Sequence, residues 1–105
     1  MSERARAAFA GAAEVHLWGL DALEGGWCAC ERCARLAPSD QALLVCNAVA
    51  DALAPDVRLF HLAYHDTLPP PESVRPAPGV SAEFAPRERC YAHPLDDPAC
   101  VTNRP

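Results

Sequence analysis

Two short segments of this chain carry apolar residues on both faces, and one amphipathic helix separates them along the sequence. The segments are residues 14–20 (EVHLWGL) and residues 57–64 (VRLFHLAY). Strands with this pattern are typical of parallel sheets, which occur almost only where both faces are covered. Parallel strands joined by a helix form a right-handed crossover. The pattern therefore predicts a parallel sheet with a helix packed on one face.

The predicted crossover helix spans residues 39–54 (SDQALLVCNAVADALA). Ser39 is a good N-cap, and Asp40 suits the positive end of the helix dipole. Pro55 ends the helix, because the residue before a proline disfavours the helical region. Five apolar residues recur at helical spacing and are expected to cover one sheet face: Ala42, Val45, Cys46, Val49 and Leu53.

The rest of the chain supplies a third strand and two irregular segments. Residues 65–78 contain five prolines and form a stiff connector, because prolines are excluded from helix interiors and central strands. Residues 79–85 (GVSAEFA) are predicted to form a strand, and residues 86–105 an irregular, cysteine-containing loop. One helix cannot cover both faces of a parallel sheet. The chain, residues 1–105, is therefore expected to be a single partial domain that belongs to a larger sheet or barrel, or that self-associates through exposed sheet edges.

Length and charge exclude several classes of protein. The 105 residues suffice for one small domain, and no apolar run approaches the ~18 residues of a membrane span. A net charge of −5 argues against a nucleic-acid partner. Residues 1–13 lack the strongly apolar stretch of a signal peptide, so a cytoplasmic location follows if Met1 is the true start.

Six cysteines in so short a chain require an explanation. Cys30 and Cys33 have the spacing of a zinc knuckle, and Cys90 with His93 repeats that spacing downstream. Together these four residues would form a structural Cys3His zinc site, in which Cys28 or Cys100 could replace a member. Disulfides or free thiols are the alternatives, and six cysteines allow 15 disulfide pairings. Cys46, on the helix stripe, is read as a small core residue.

Several motifs in succession resemble a bacterial family known as domain of unknown function 4838. They are the cysteine motif of residues 27–33 (WCACERC), residues 38–44 (PSDQALL), residues 46–50 (CNAVA), residues 62–71 (LAYHDTLPPP), and residues 84–95 (FAPRERCYAHPL) with Cys100 and Asn103. The resemblance runs from about Val15 to Asn103. It implies an α/β fold: a fragment of a (β/α)8 TIM-like barrel with about three parallel strands and one main helix. A complete barrel needs ~250 residues, so this chain is under half of one.

The resemblance also implies a glycoside-hydrolase-like barrel, related to alpha-glucuronidase-like and hexosaminidase-like barrels, with a carbohydrate-binding or hydrolytic site. Such a site lies at the carboxyl ends of the strands and normally uses two carboxylates. On that basis the catalytic candidates are Asp21 and Asp66, and the substrate-binding candidates are Tyr64, His65 and Arg87. The fragment alone is not expected to be active, and no cofactor is required.

The two aspartates have a structural alternative, and further residues are candidates for the same site. Asp21 and Asp66 could simply cap turns, as aspartate often does. Trp18, Trp27 and Tyr64 could be stacking platforms for sugar rings. Glu83 is either a functional residue that faces inward or a structural residue at a crowded edge. A further alternative for the whole chain is a non-catalytic, cysteine-rich module stabilised by zinc or disulfides.

Overall fold

The computed structural model describes residues 3–19 and 24–103. Its elements in chain order are helix α1 (Glu3–Ala8), strand β1 (Glu14–Leu17), helix α2 (Pro38–Ala50), strand β2 (Arg58–Ala63), a 3-10 turn (His65–Thr67) and strand β3 (Val80–Phe84). All three predicted strands are present, and each is shorter than its predicted segment. The described part of residues 86–105 forms turns only.

The three strands form one parallel sheet in the order β1-β2-β3. Leu59 of β2 lies opposite Val15 of β1 on one side and Val80 of β3 on the other. Because all three strands run in the same direction, their carboxyl ends meet at one edge of the sheet. The predicted α/β class is confirmed, and three parallel strands with one main helix are consistent with a fragment of a barrel.

The hydrophobic core lies between α2 and one face of the sheet. Its buried residues are Val15, Leu43, Cys46 and Leu59, of which Leu59 is 0% exposed. Partly buried apolar side chains surround it: Phe9, Ala12, Leu17, Val49, Leu53, Val57, Val74 and Val80. The assignment of Cys46 to the core is confirmed.

The bounds of α2 differ from the prediction at both ends. The helix begins at Pro38 with Ala37 as its N-cap, so Ser39 is not the cap. Ser39 is instead buried and donates a hydrogen bond to the carbonyl of Pro69. At the other end, residues 51–53 leave the helix in turns, since the amide of Leu53 bonds to the carbonyl of Ala50 at 3.0 Å.

The buried stripe of α2 is also rotated relative to the predicted one. Val45 is 58% exposed, whereas Leu43, which was not assigned to the stripe, is buried. The reason is that the polar side chains of Ser39 and Asp40 bind the proline connector and bring their own side of the helix inward. Tertiary hydrogen bonds thus decide which part of an Ala- and Val-rich helix faces the sheet.

The proline connector is held along α2 by side-chain hydrogen bonds. Asp40 accepts bonds from the amides of Ser73 and Val74 at 2.9 and 2.8 Å. Asn47 accepts from the amide of Ala77 at 2.9 Å and donates to the carbonyl of Arg75 at 2.8 Å. The connector therefore takes the place of a second helix in the link between β2 and β3.

The sheet face opposite α2 is open among the described residues. Trp18, which follows β1, is 65% exposed.

The radius of gyration is 15.6 Å, against about 13 Å for a compact domain of this length. In the described ranges, 3–19 and 24–103, no helix has the length and apolar character needed to cross a membrane.

Candidate functional site

The carboxyl edge of the sheet brings together Tyr64 and His65, two of the predicted substrate-binding residues. They lie where β2 leads into the 3-10 turn, and their ring centroids are 3.7 Å apart. His65 has a φ of 47°, a strained value for a residue other than glycine, and its side chain is only 5% exposed. Its Nδ1 lies 3.2 Å from Oε1 of Glu88, which follows β3. The contact joins the ends of two strands.

Asp66, a predicted catalytic residue, accepts hydrogen bonds from the loop that follows β1. Its two oxygens accept from the amide of Glu24 at 2.9 Å, the amide of Gly25 at 3.1 Å and the indole Nε1 of Trp27 at 2.8 Å. The Glu24 amide and the Trp27 indole hold the pKa of Asp66 below its ordinary value. The carboxylate is therefore ionised, and both of its oxygens already accept hydrogen bonds. These bonds hold the loop against the carboxyl edge of the sheet.

We expect replacement of Asp66 by alanine to release the indole of Trp27. The reason is that the carboxylate supplies the acceptor that fixes this ring. In a Trp18→Phe background, which leaves Trp27 as the sole tryptophan, fluorescence emission should shift to the red and quenching by acrylamide should increase severalfold. Asp96→Ala, at an exposed position, is the control and should leave both unchanged. Identical spectra for the two variants would contradict the anchoring role.

A second polar group lies on the helix-free face of the sheet. Nδ1 of His16 lies 2.8 Å from Oε2 of Glu83, and the indole of Trp18 donates to the same oxygen at 3.3 Å. The ring of His16 also stacks on Phe60, with centroids 4.9 Å apart. The contacts with His16 and Trp18 lower the pKa of Glu83, which stays a carboxylate at neutral pH. Glu83 therefore lies on the sheet face opposite α2, in contact with His16 and Trp18.

A cleft of about 300 Å³ lies on the other face, between α2, the strand ends and residues 26–28. Its lining includes Trp27, Val45, Cys46, His61 and Tyr64. Burial raises the pKa of the Cys46 thiol to about 11 and lowers the pKa of His61. Both groups are thus uncharged at neutral pH, and the cleft suits an apolar occupant.

The remaining cysteines form two clusters. In one, the thiols of Cys28, Cys30 and Cys33 lie within 4.8 Å of one another, and in the other the same holds for Cys90, His93 and Cys100. Hydrogen bonds from the Cys33 amide and the neighbouring thiols lower the pKa of Cys30 to about 7. The contact with His93 lowers the pKa of Cys90. Both clusters have the donor set of a soft metal ion.

The structure brings together only some of the predicted site residues. Tyr64, His65 and Asp66 share the carboxyl edge, while Asp21 lies outside the described residues. Arg87 is exposed beyond β3, and its carbonyl accepts a bond from the hydroxyl of Tyr91 at 3.1 Å. The four predicted zinc ligands divide between the two clusters, with Cys28 completing the first and Cys100 the second.

Sequence reasoning did not find the pairing of His16 with Glu83. The contact depends on the strand register, which puts both residues on the face that lacks the helix. It also did not find Gln41 and Asn103, whose amides bind the two cysteine clusters. No local sequence pattern indicates that a glutamine or asparagine side chain will bind a distant part of the backbone.

Comparison with protein-family models matched residues 11–103 to a domain of unknown function (DUF4838). Comparisons with curated proteins and with solved structures gave no match. The matched range includes all three strands, α2 and both cysteine clusters.

Proposed function

The chain belongs to the DUF4838 family of domains of unknown function, and from this premise we propose that it forms one wall of a carbohydrate-binding site. The wall consists of the helix-free sheet face and the adjoining carboxyl edge. The observation that supports it best is the Glu83 carboxylate, held by His16 and Trp18 on the open face. In barrels, the face without helices points inward and the carboxyl edge carries the site.

The chemistry of this face suits a sugar. An ionised carboxylate accepts hydrogen bonds from hydroxyl groups, and an exposed aromatic ring packs against the apolar face of a sugar ring. The side chains of His16 and Glu83 are 47% and 38% exposed, and Trp18 is 65% exposed. These groups are fixed to one another yet accessible, so they can bind a ligand at little cost in side-chain ordering.

Binding is better supported than hydrolysis by this chain alone. A glycosidase needs a general acid, whose pKa is raised so that it stays protonated near neutral pH. The hydrogen bonds of Asp66 and Glu83 lower their pKa values instead. Both carboxylates therefore suit acceptor roles, and in a complete glycoside-hydrolase-like barrel the acid would come from another carboxyl group.

The test is the binding of neutral and acidic oligosaccharides to the purified chain, measured by isothermal titration calorimetry. We expect at least one of them to bind, and Glu83→Gln to weaken that binding about tenfold, because the amide lacks one acceptor and the negative charge. Trp18→Ala should have an effect of at least that size. Glu72→Gln, the same change at an exposed position in the connector, is the matched control and should bind like the wild type.

Two outcomes would overturn the proposal. One is a folded wild-type chain that binds no member of the panel. The other is an equal change in affinity for Glu83→Gln and Glu72→Gln. That result would show that the sugar does not bind at the helix-free face.

A further inference from the structure

The first cysteine cluster is built on a tight turn. The amides of Cys33 and Ala34 donate to the carbonyl of Cys30 at 2.9 and 2.8 Å, which closes one helical turn and points the thiols of Cys30 and Cys33 the same way. The thiol of Cys28 joins them within 4.8 Å. Three sulfurs around a tetrahedral zinc ion lie ~3.8 Å apart, as follows from a Zn–S distance of ~2.3 Å. Small side-chain rotations suffice to reach this spacing.

One side chain from α2 fixes the backbone of this cluster. The Oε1 atom of Gln41 accepts from the amide of Cys28 at 2.9 Å. Its Nε2 donates to the carbonyls of Cys28 at 3.2 Å, Cys33 at 3.1 Å and Leu36 at 3.4 Å. The side-chain amide of Gln41 therefore fixes the position of Cys28, before the turn, relative to Cys33 and Leu36, at its end and after it.

The second cluster repeats this arrangement with different residues. The thiol of Cys90 lies 3.2 Å from Nδ1 of His93, and the buried thiol of Cys100 completes the group. The Oδ1 atom of Asn103 accepts from the amide of Cys90 at 2.7 Å. Its Nδ2 donates to the carbonyls of Cys90, His93 and Pro94 at 3.1, 3.2 and 3.0 Å.

We infer that the chain has two separate sites for thiophilic metal ions, one at Cys28, Cys30 and Cys33 and the other at Cys90, His93 and Cys100. In each, a side-chain amide accepts from the first ligand's N–H and donates to carbonyls around the ligands. Hydrogen bonds of this kind, made around the ligands of a metal ion, fix the orientation of the ligands and are costly to lose. Two clusters with the same hydrogen-bond plan are better explained by two ions than by one shared site.

The ligands select the class of ion. Thiolates and imidazole favour Zn2+ and other soft or borderline ions, whereas Mg2+ and Ca2+ require oxygen ligands. Three protein ligands leave a fourth position for water or another donor, as in open zinc sites. Each thiol that binds the ion gives up its proton to solvent.

Metal binding is tested on the reduced, chelator-treated chain with Zn2+ and Co2+ as probes. Native mass spectrometry and elemental analysis should give two zinc ions per chain. Co2+ should produce thiolate charge-transfer absorption in the near ultraviolet together with the visible bands of a tetrahedral ion. Zero or one zinc ion on the fully reduced chain would contradict the two-site inference.

Variants assign each ion to its cluster. Cys30→Ser should lose one ion and Cys90→Ser the other, while the double variant should bind none. Cys46→Ala, which removes the core thiol outside both clusters, is the matched control and should keep two ions. Circular dichroism of each variant verifies that it is folded.

Two results would contradict the two-site inference, and they can be told apart. If the chain binds a single ion, and Cys30→Ser and Cys90→Ser each abolish its binding, the two clusters form one shared site. Disulfides that form within a cluster and resist reduction while no zinc binds would make the clusters oxidation sites.

Gln41 and Asn103 are positioning residues in this inference, and Gln41→Met tests the role directly. It keeps the length of the side chain and removes every hydrogen bond to the first cluster. Affinity for the ion of that cluster should fall about 10–100-fold, the usual cost of losing a hydrogen bond that orients metal ligands. The Co2+ spectrum of the second cluster should be unchanged. Equal losses at both clusters would indicate general destabilisation instead.

Discussion

Replacing Leu59 by alanine is expected to lower the free energy of unfolding by about 2–5 kcal/mol, the usual range for a buried leucine. Leu59 is 0% exposed and lies at the centre of the sheet, between Val15 and Val80 and beneath α2. The substitution removes its transfer free energy and leaves a cavity in a core with few other fully buried apolar groups. Domains have about 5–15 kcal/mol of stability, so this loss is a large fraction of the total.

Urea denaturation followed by circular dichroism measures this change. Leu44→Ala is the matched control, because it makes the same chemical change on α2 at a side chain that is 45% exposed. We expect its effect to be within about 0.5 kcal/mol, as is usual for surface positions. Equal destabilisation by the two substitutions would show that the core is not where the structure places it.

The sequence was sufficient to predict the three strands, α2 and the parallel arrangement, because these follow from local signals. The apolar strand segments, the helical spacing of Cys46 and Val49 and the break at Pro55 each act over a few residues. Parallel pairing followed from the strand-helix-strand succession. These are the features that the structure reproduces.

Contacts between distant parts of the chain were not predictable in the same way. Asp66 bonds to Trp27, 39 residues away, and this pairing depends on where the carboxyl edge brings two loops together. The rotation of α2 has a similar cause, because Ser39 and Asp40 bind residues about 30 positions downstream. A polar residue at a helix start is locally a cap, and only the tertiary fold shows that it holds a connector.

The cysteine clusters lie between these cases. The spacing of Cys30 with Cys33 and of Cys90 with His93 indicated soft donor atoms that lie close together, and in the structure each pair lies within one cluster. Joining the two pairs into one site required a long-range contact, and the structure instead completes each pair with a nearby cysteine. The donor pairs are therefore local properties of the sequence, whereas the way they group in space depends on the tertiary fold.

Asp40→Asn is expected to lower the thermal unfolding midpoint at pH 7 by on the order of 10 °C. Asp40 is 0% exposed and accepts bonds from the amides of Ser73, Val74 and Ala37, which connect the proline connector and the helix start. The Val74 amide above all, with those of Ser73 and Ala37, holds the pKa of Asp40 below its ordinary value, although burial acts in the opposite direction. Asparagine cannot carry the charge that these donors stabilise, and its NH2 group cannot accept.

The pH dependence of this effect has a definite sign. A carboxyl whose pKa is lowered on folding stabilises the native state fully above its unfolded pKa of about 3.9, and this stabilisation is lost as pH falls through the lower native value. The gap between wild type and Asp40→Asn should therefore be constant from pH 7 to about pH 5 and narrow below about pH 4. Asp66 and Glu83 titrate in the same direction, but they are present in both proteins and so cancel in the difference.

Thermal melts between pH 7 and pH 2, followed by circular dichroism, measure the gap. Asp51→Asn makes the same substitution at the exposed C-cap of α2 and is the matched control. We expect it to change the midpoint by a few degrees at most, since Asp51 is exposed and lies at the end of the helix opposite Asp40. A gap for Asp40→Asn that stays constant down to pH 2 would show that the hydrogen bonds stabilise the connector without the charge. No gap at any pH would show that Asp40 does not hold the connector to α2.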